Sequence, residues 1–315
     1  MYRFLFANLI RPIQTELKCD WSKYFANLDK VDYKDQKQPL YNNSGNSNFY
    51  IEGCTFNECR DKGAIYIHRD ECRTLVERCN FINCSSNVEG GSIYYKCNQG
   101  DIVQHQNSFC NSLSTNDRFL SFSQSVNSKN YALYVSVSNC DNQISCTLGI
   151  SGGEIRFCST NITNNNCNQG SSIFSHIETD PAIINFSNFI ENSQTGTQSL
   201  IFENKNGSLT QTISYCNINR NICGNGNDTV LFYCEHHTSV NKCTFLCNIA
   251  KYIFQIQDSN LTISNSHIQS NISTFTGGGT LIDYHNTYTD SCKIESSSRK
   301  LTEKFIILKR ITLRR

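Results

Sequence analysis

The chain has 315 residues, 28 basic and 27 acidic, giving a net charge of +1, with 38% hydrophobic and 17% charged residues. That length holds one large domain or two ordinary ones, and the near-neutral balance argues against a nucleic-acid protein carried by bulk charge. The missing share is polar and uncharged (39 Asn, 36 Ser and 23 Thr), while 11% aromatics and only 3 Pro argue against low-complexity disorder.

The chain opens with Arg3 and a brief apolar run, Phe4 to Ile10, with no small-residue cleavage site before Arg11-Pro12. It reads as a buried N-terminal segment rather than an export signal. No apolar run approaches the roughly 18 residues of a spanning helix, so no integral membrane span is expected. Residues 1–47 read as a leader and N-terminal cap, with Trp21 and positions 20–36 covering an open strand edge at the start of the repeat region.

From residue 48 onward a repeat takes over. Gly53-Cys-Thr-Phe-Asn-Glu-Cys59 recurs as Arg78-Cys-Asn-Phe-Ile-Asn-Cys84, and apolar anchors continue at Phe109, Val137, Ile162, Phe189, Ile218, Phe245 and Ile268. From Phe56 to Ile268 the spacing averages about 26 residues, the period of a solenoid. Each unit carries a second apolar block, such as Gly63-Ala-Ile-Tyr-Ile67 or Gly91-Ser-Ile-Tyr-Tyr95, and a third such as Leu75-Val76 or Ile102-Val103. The blocks are rich in β-branched and aromatic residues and are separated by Gly, Asn, Ser and Asp, which are strand and turn signals. Three short strands per unit predict an all-β fold: a right-handed, single-stranded parallel β-helix of about nine coils over 48–289, the architecture of pectin-lyase-like solenoids. Leucine-rich repeats need fixed Leu positions and a helical segment, and this chain has neither.

Three residues after the anchor stand Cys59, Cys84, Ser112 and Cys140, then Asn165, Asn192, Asn221, Asn248 and Asn271. Stacked amides hydrogen-bond along a rod axis, and Asn tolerates the left-handed conformation of corners, so this column reads as structural. Gly63, Gly90, Gly91 and Gly170 supply tight turns before the second strand. Cys54 is expected over Cys79 and Cys59 over Cys84, as free buried thiols, or as disulfides if the protein is exported. The 18 cysteines leave the redox compartment open, and the eight Asn-x-Ser/Thr sequons match chance for this composition.

The pattern Cys-x-Phe-x-x-Cys followed by Gly-Ala-Ile-Tyr or Gly-Gly-Ser-Ile-Tyr is clearest over residues 48–97. It resembles the repeats of polymorphic-outer-membrane-protein-like chains and the related β-helix surface proteins of parasitic protists, trichomonads in particular. The resemblance implies a cell-surface or secreted adhesion role, with a glycan or host-surface protein as partner. The family's export signal and C-terminal membrane anchor have no convincing counterpart here.

Other chemistry is weaker. β-Helix hydrolases need converging carboxylates and lyases need Ca²⁺-binding carboxylates with a basic residue, whereas Asp61, Asp70, Asp101, Asp180 and Asp228 lie near turns. A divergent carbohydrate-active enzyme is therefore the alternative, and an intracellular, cytoplasmic repeat protein a second one. Cys234-Glu-His-His237 with Cys243 and Cys247 has zinc-ligand types but no standard spacing. No catalytic, cofactor-binding or metal residue is assigned, and no cofactor is expected. His68, Lys96, His176 and Glu203 are expected in one column of the second strand, and Tyr66, Tyr94, Phe174 and Phe254 in its neighbour. Alternation should expose one column and bury the other. Residues 290–315 form a basic tail or cap, with Phe305 to Leu313 suited to an amphipathic closing strand.

Overall fold

The computed structural model describes residues 20–289, other than 43, 46, 88–89, 115–118, 126–127, 143–145, 168–172, 178–179, 195–197, 205–208, 225–228 and 271–272. The expected basic tail, Asn271, Gly170 and Asp228 lie outside them. Within them the chain is a parallel β-solenoid. The anchors form one ten-stranded sheet, in register from Phe56 through Phe81, Phe109, Val137, Ile162, Phe189, Ile218, Phe245 and Ile268. Tyr288 adds a tenth level to the nine expected. At about 4.8 Å per level this ladder is roughly 43 Å long.

The chain is strand almost throughout because each level supplies partners for the next. The opening elements are the helix α1 (Trp21–Phe25) and the strands β1 (Val31–Lys34), β2 (Leu40–Asn42), β3 (Phe49–Glu52) and β4 (Thr55–Asn57). The next level holds β5 (Ile65–Glu77), β6 (Asn80–Ile82) and β7 (Ser85–Ser86), and β8 (Ile93–His105) comes after it. β1 pairs with β3 and β2 with β5, so the solenoid begins inside the segment expected to be a cap. In β5 and β8 the second and third apolar blocks fuse into 13-residue strands. Further along they separate where the backbone turns left-handed, as at Gly152 and Gly153.

Two corners recur in each coil, and both obey one rule. A single left-handed residue turns the chain, and the next residue points inward. Arg78, Gln106, Tyr134, Ser159, Phe186, Tyr215 and Lys242 form the first corner column; Asn83, Asn111, Asn139, Asn164, Glu191, Arg220 and Cys247 form the second. Left-handed backbone costs an L-residue about 1–2 kcal/mol, and twelve of these corner N–H groups offset this by donating to the next coil, as from Arg78 to the His105 carbonyl at 3.0 Å.

The inward residue after the second corner builds the expected amide column, with two corrections. Asn192 Oδ1 accepts from the Asn165 backbone N–H at 3.1 Å and its Nδ2 at 3.0 Å, and Asn221 and Asn248 repeat this toward Asn192 and Asn221. The ladder Asn residues are not themselves left-handed: the preceding residue is, so Asn is used for its inward hydrogen bonds rather than for its backbone. At the last step Gln269 reaches back to Asn248, with Oε1 accepting from the Asn248 N–H at 2.7 Å. The longer side chain supplies the same acceptor to Asn248 that each Asn supplies to the level before it.

The core lies inside the coils. Phe56, Phe81 and Phe109 stack at ring separations of 5.2 and 4.6 Å. The thiol columns stand as expected, with Cys54, Cys79, Cys59 and Cys84 buried and unbridged. α1 corrects the picture of an end cap. Trp21 and Phe25 pack on an outward ladder, Tyr50, Leu75, Val103 and Tyr131, so the helix straps the side of four successive levels that follow β1.

Candidate functional site

β5 sets the geometry of the outward face. Residues 66 and 68 are two apart and share a side, so the Tyr66 and His68 columns both face outward, where one was expected to be buried. His68 aligns with Lys96, Gln124, Ser151, His176 and, on the backbone, Glu203. Tyr66 aligns with Tyr94, Phe122 and Gly149, and then Phe174. Phe254 does not belong to this column. It pairs with Phe232 in the interior, and Gln255 takes the outward place beside Tyr233.

The outward aromatics stack on one another: Tyr66 on Tyr94 at 4.8 Å, Tyr94 on Phe122 at 5.8 Å, and Phe122 on Phe119 at 5.0 Å. Phe119 folds over Gly149, where a Cβ would come within 2.3 Å of its ring. Tyr94, Phe119 and Phe122 are buried, and Tyr66 closes the row half-buried. This ladder is a second small core outside the coil, not an open aromatic groove.

Exposed rings stand instead on the first corner column. Phe186 is 58% and Tyr215 46% exposed, stacked at 5.0 Å with planes 13° apart. Lys242, one level on, lies 5.1 Å from the Tyr215 ring centre and donates to its hydroxyl at 3.0 Å. Tyr134 is exposed in the same column. These residues turn the backbone, and the interior does not use their side chains. Their sequence signal was present but faint: each precedes the small inward residue of the repeat.

The carboxylates of this face are engaged. Glu52 pairs with Lys34 at 3.5 Å and with Arg78, Asp101 with Arg73 at 3.3 Å, and Glu191 with Arg220 at 2.7 Å. Glu154 holds Arg156 and accepts from the Tyr131 hydroxyl, and these contacts keep its carboxyl below the usual range although burial opposes them. The buried Glu77 accepts from the Tyr50 hydroxyl at 2.7 Å and lies 3.6 Å from His105 Nδ1. Burial first, then that carboxylate, pushes the Tyr50 phenol well up.

The zinc-like residues are not brought together. Cys243 is inward at the first corner, Cys247 turns the second, and His237 Nδ1 accepts from the Asn260 N–H at 3.3 Å. His236 is buried, with Nε2 2.6 Å from Gln211 Oε1. No group of three or more potential ligands occurs among the described residues.

A concavity of about 570 Å³ opens at the bend of β5, lined by Ser44, Gly45, His68, Arg69, Asp70, Glu71 and Asn98. Asn98 Nδ2 donates to Asp70 at 3.0 Å. Arg69 points inward behind it, 6% exposed, and its Nη1 donates to the Ser47 carbonyl at 2.8 Å. Among the described residues its Nε and Nη2 meet no hydrogen-bond partner. No helix among the described residues is long and apolar enough to cross a membrane. Compared with protein-family models, curated proteins and solved structures, the chain matches none.

Proposed function

We propose that the protein is a non-catalytic solenoid scaffold for surface or extracellular interaction, holding a glycan or protein partner along the first corner of the rod. The exposed Phe186–Tyr215–Lys242 stack carries this reading. Rings and a cation held at a fixed pitch of about 4.8 Å cost little entropy to bury, and adjacent exposed aromatics are the usual anchors of interaction patches. The interior hydrogen-bond ladders make the scaffold rigid without using these side chains. A glycan-active enzyme would need two carboxylates facing one glycosidic bond, and Glu52, Glu154 and Glu191 are each tied to an arginine.

The test is a glycan array with wild type and the double variant Phe186→Ser/Tyr215→Ser. Retention of a defined glycan class by wild type, lost at least about tenfold in a variant that melts normally, supports the reading. A wild type that retains no glycan, and no surface protein from intact cells, overturns it. The stacked thiols Cys54, Cys79, Cys59 and Cys84 are unbridged, which favours the second reading, an intracellular repeat protein. Thiol titration of native protein purified from its own cells separates the two.

A further inference from the structure

The anchor sheet carries no acidic or basic residue. Its ten strands hold three residues each, from Thr55–Asn57 to Thr287–Thr289, and none is Asp, Glu, Lys or Arg. At the chain's 17% charged content, thirty residues would carry about five. Alternation turns each anchor inward and the residues on either side of it toward solvent, Gln269 excepted. Charge is placed instead on the strands of the second and third blocks, where Arg73, Lys96, Asp101, Glu154 and Arg156 face outward. The anchor sheet is thus a long, neutral, solvent-facing surface.

Its first outward rank is an ordered row of hydroxyls and amides. Ser108 Oγ donates to Asn80 Oδ1 at 2.6 Å, Asn217 Nδ2 to Asn188 Oδ1 at 2.7 Å, and Thr244 Oγ1 to Asn217 Oδ1 at 2.8 Å. These bonds fix the side chains, so a ligand need not order them. The half-buried Asn188 accepts at Oδ1 and has no described partner at Nδ2, which is left to donate outward. The second rank sets Asn219 between Ile190 and Leu246. Along the first corner the sheet meets the exposed rings, because Phe186 stands two residues before Asn188 and Tyr215 two before Asn217. Rings, amides and apolar side chains therefore run side by side, repeating about every 4.8 Å along the rod.

We propose, building on the reading of the corner stack as a partner's contact, that the sheet face beside it selects an uncharged glycan chain laid along the rod. The rings take the C–H faces of the sugars, and the amides and hydroxyls exchange hydrogen bonds with sugar hydroxyls. A carboxylate or sulfate would give up its water against a face without Lys or Arg, and nothing there offsets that cost. The charges that border these levels are engaged: Glu191 pairs with Arg220 at 2.7 Å, and Lys242 donates to the Tyr215 hydroxyl at 3.0 Å. A protein partner would look for large apolar anchors, whereas the rank is mostly small and polar. A sugar chain presents hydroxyls on every ring and can use the same set of groups at each level.

The experiment measures retention of the full chain on immobilised neutral polysaccharides (a β-glucan, a mannan and chitin) and on anionic ones (hyaluronate, polygalacturonate and heparin). Wild type is expected to hold at least one neutral polysaccharide about tenfold more tightly than any anionic one, with less than about a twofold change from low salt to about 1 M. Asn188→Asp keeps the acceptor used by Asn217, removes the outward donor and adds a charge. It should lose about tenfold of that retention while melting normally. Gln124→Glu adds the same charge on the other outward face, level with Lys96, and should bind as wild type. Should Asn188→Asp melt early, the neutral-against-anionic comparison and its salt dependence, both read on wild type, decide alone. A preference for anionic polysaccharides, retention that falls steeply with salt, or an Asn188→Asp variant that melts normally and binds as wild type overturns the proposal and leaves the corner stack standing as a contact. Capture of a surface protein without any glycan does the same, and retention of neither overturns both.

Discussion

His236 shows what one misplaced proton does inside the coil. Gln211 Oε1 only accepts, so the neutral ring carries its hydrogen on Nε2. Nδ1 is buried, and protonation would place a second hydrogen there without a described acceptor. Burial, with a smaller push from His237, holds the group down to about 4 against an ordinary 6.5. The unfolded chain therefore binds this proton before the folded one does. Stability from His236 is complete above pH 6.5 and falls with pH until about 4, by roughly 3 kcal/mol. Urea denaturation across pH 4–7 should show that slope, and His236→Leu should remove one proton's worth of it whatever it costs at pH 7. An unchanged slope in the variant would place the acid sensitivity elsewhere.

At the scale of an element, the amide ladder is the unit that locks coil to coil. Asn192 accepts from both donors of Asn165, and its own amide donates to the Ile162 carbonyl at 2.9 Å and to Asn221 Oδ1 on the next level at 3.1 Å. Asn192→Ala strands several buried donors and acceptors at once, each costing about 1–3 kcal/mol, so a loss of about 3–5 kcal/mol is expected. Asn192→Ser should lose less than half of that. Ser112 already fills this place earlier in the column, accepting from the Cys84 N–H at 3.1 Å. Equal losses for Ala and Ser would mean that volume, not hydrogen bonding, sets the column. The anchors and this ladder were legible in the sequence because their period is fixed by coil length. Gln269 was not, because a side chain can reach a register position its backbone does not occupy. Phe254 was misplaced because its block was aligned by aromatic type, and one residue of shift reverses the face. The exposed corner stack sat on the repeat period but at a position where residue type varies from coil to coil, and Arg69 carried no period, so their placement in space singles them out.

Across the whole molecule, each level touches chiefly the levels above and below, so stability is close to a sum of local terms. α1 breaks that uniformity. Asp20 caps it by accepting from the Ser22 N–H at 3.2 Å, and Trp21 Nε1 donates to the Leu28 carbonyl at 3.0 Å, which fixes the strap. Trp21 and Phe25 then cover Tyr50, Leu75, Val103 and Tyr131 on four successive levels. The other end lacks such cover among the described residues, and Phe275, Tyr284 and Tyr288 are exposed there. Trp21→Ala should remove about 3–5 kcal/mol of burial from the first levels alone. Amide hydrogen exchange should then speed up across Phe49–Glu52, Ile65–Glu77 and Ile93–His105 while Ala182–Asn185 through Asn260–Ser264 keep wild-type protection. In wild type the levels at Thr280–Tyr284 and Thr287–Thr289 should already exchange fastest of the described strands. Faster exchange spread evenly along the variant would mean that the rod unfolds as one cooperative body, with the strap holding all of it rather than the four levels it covers.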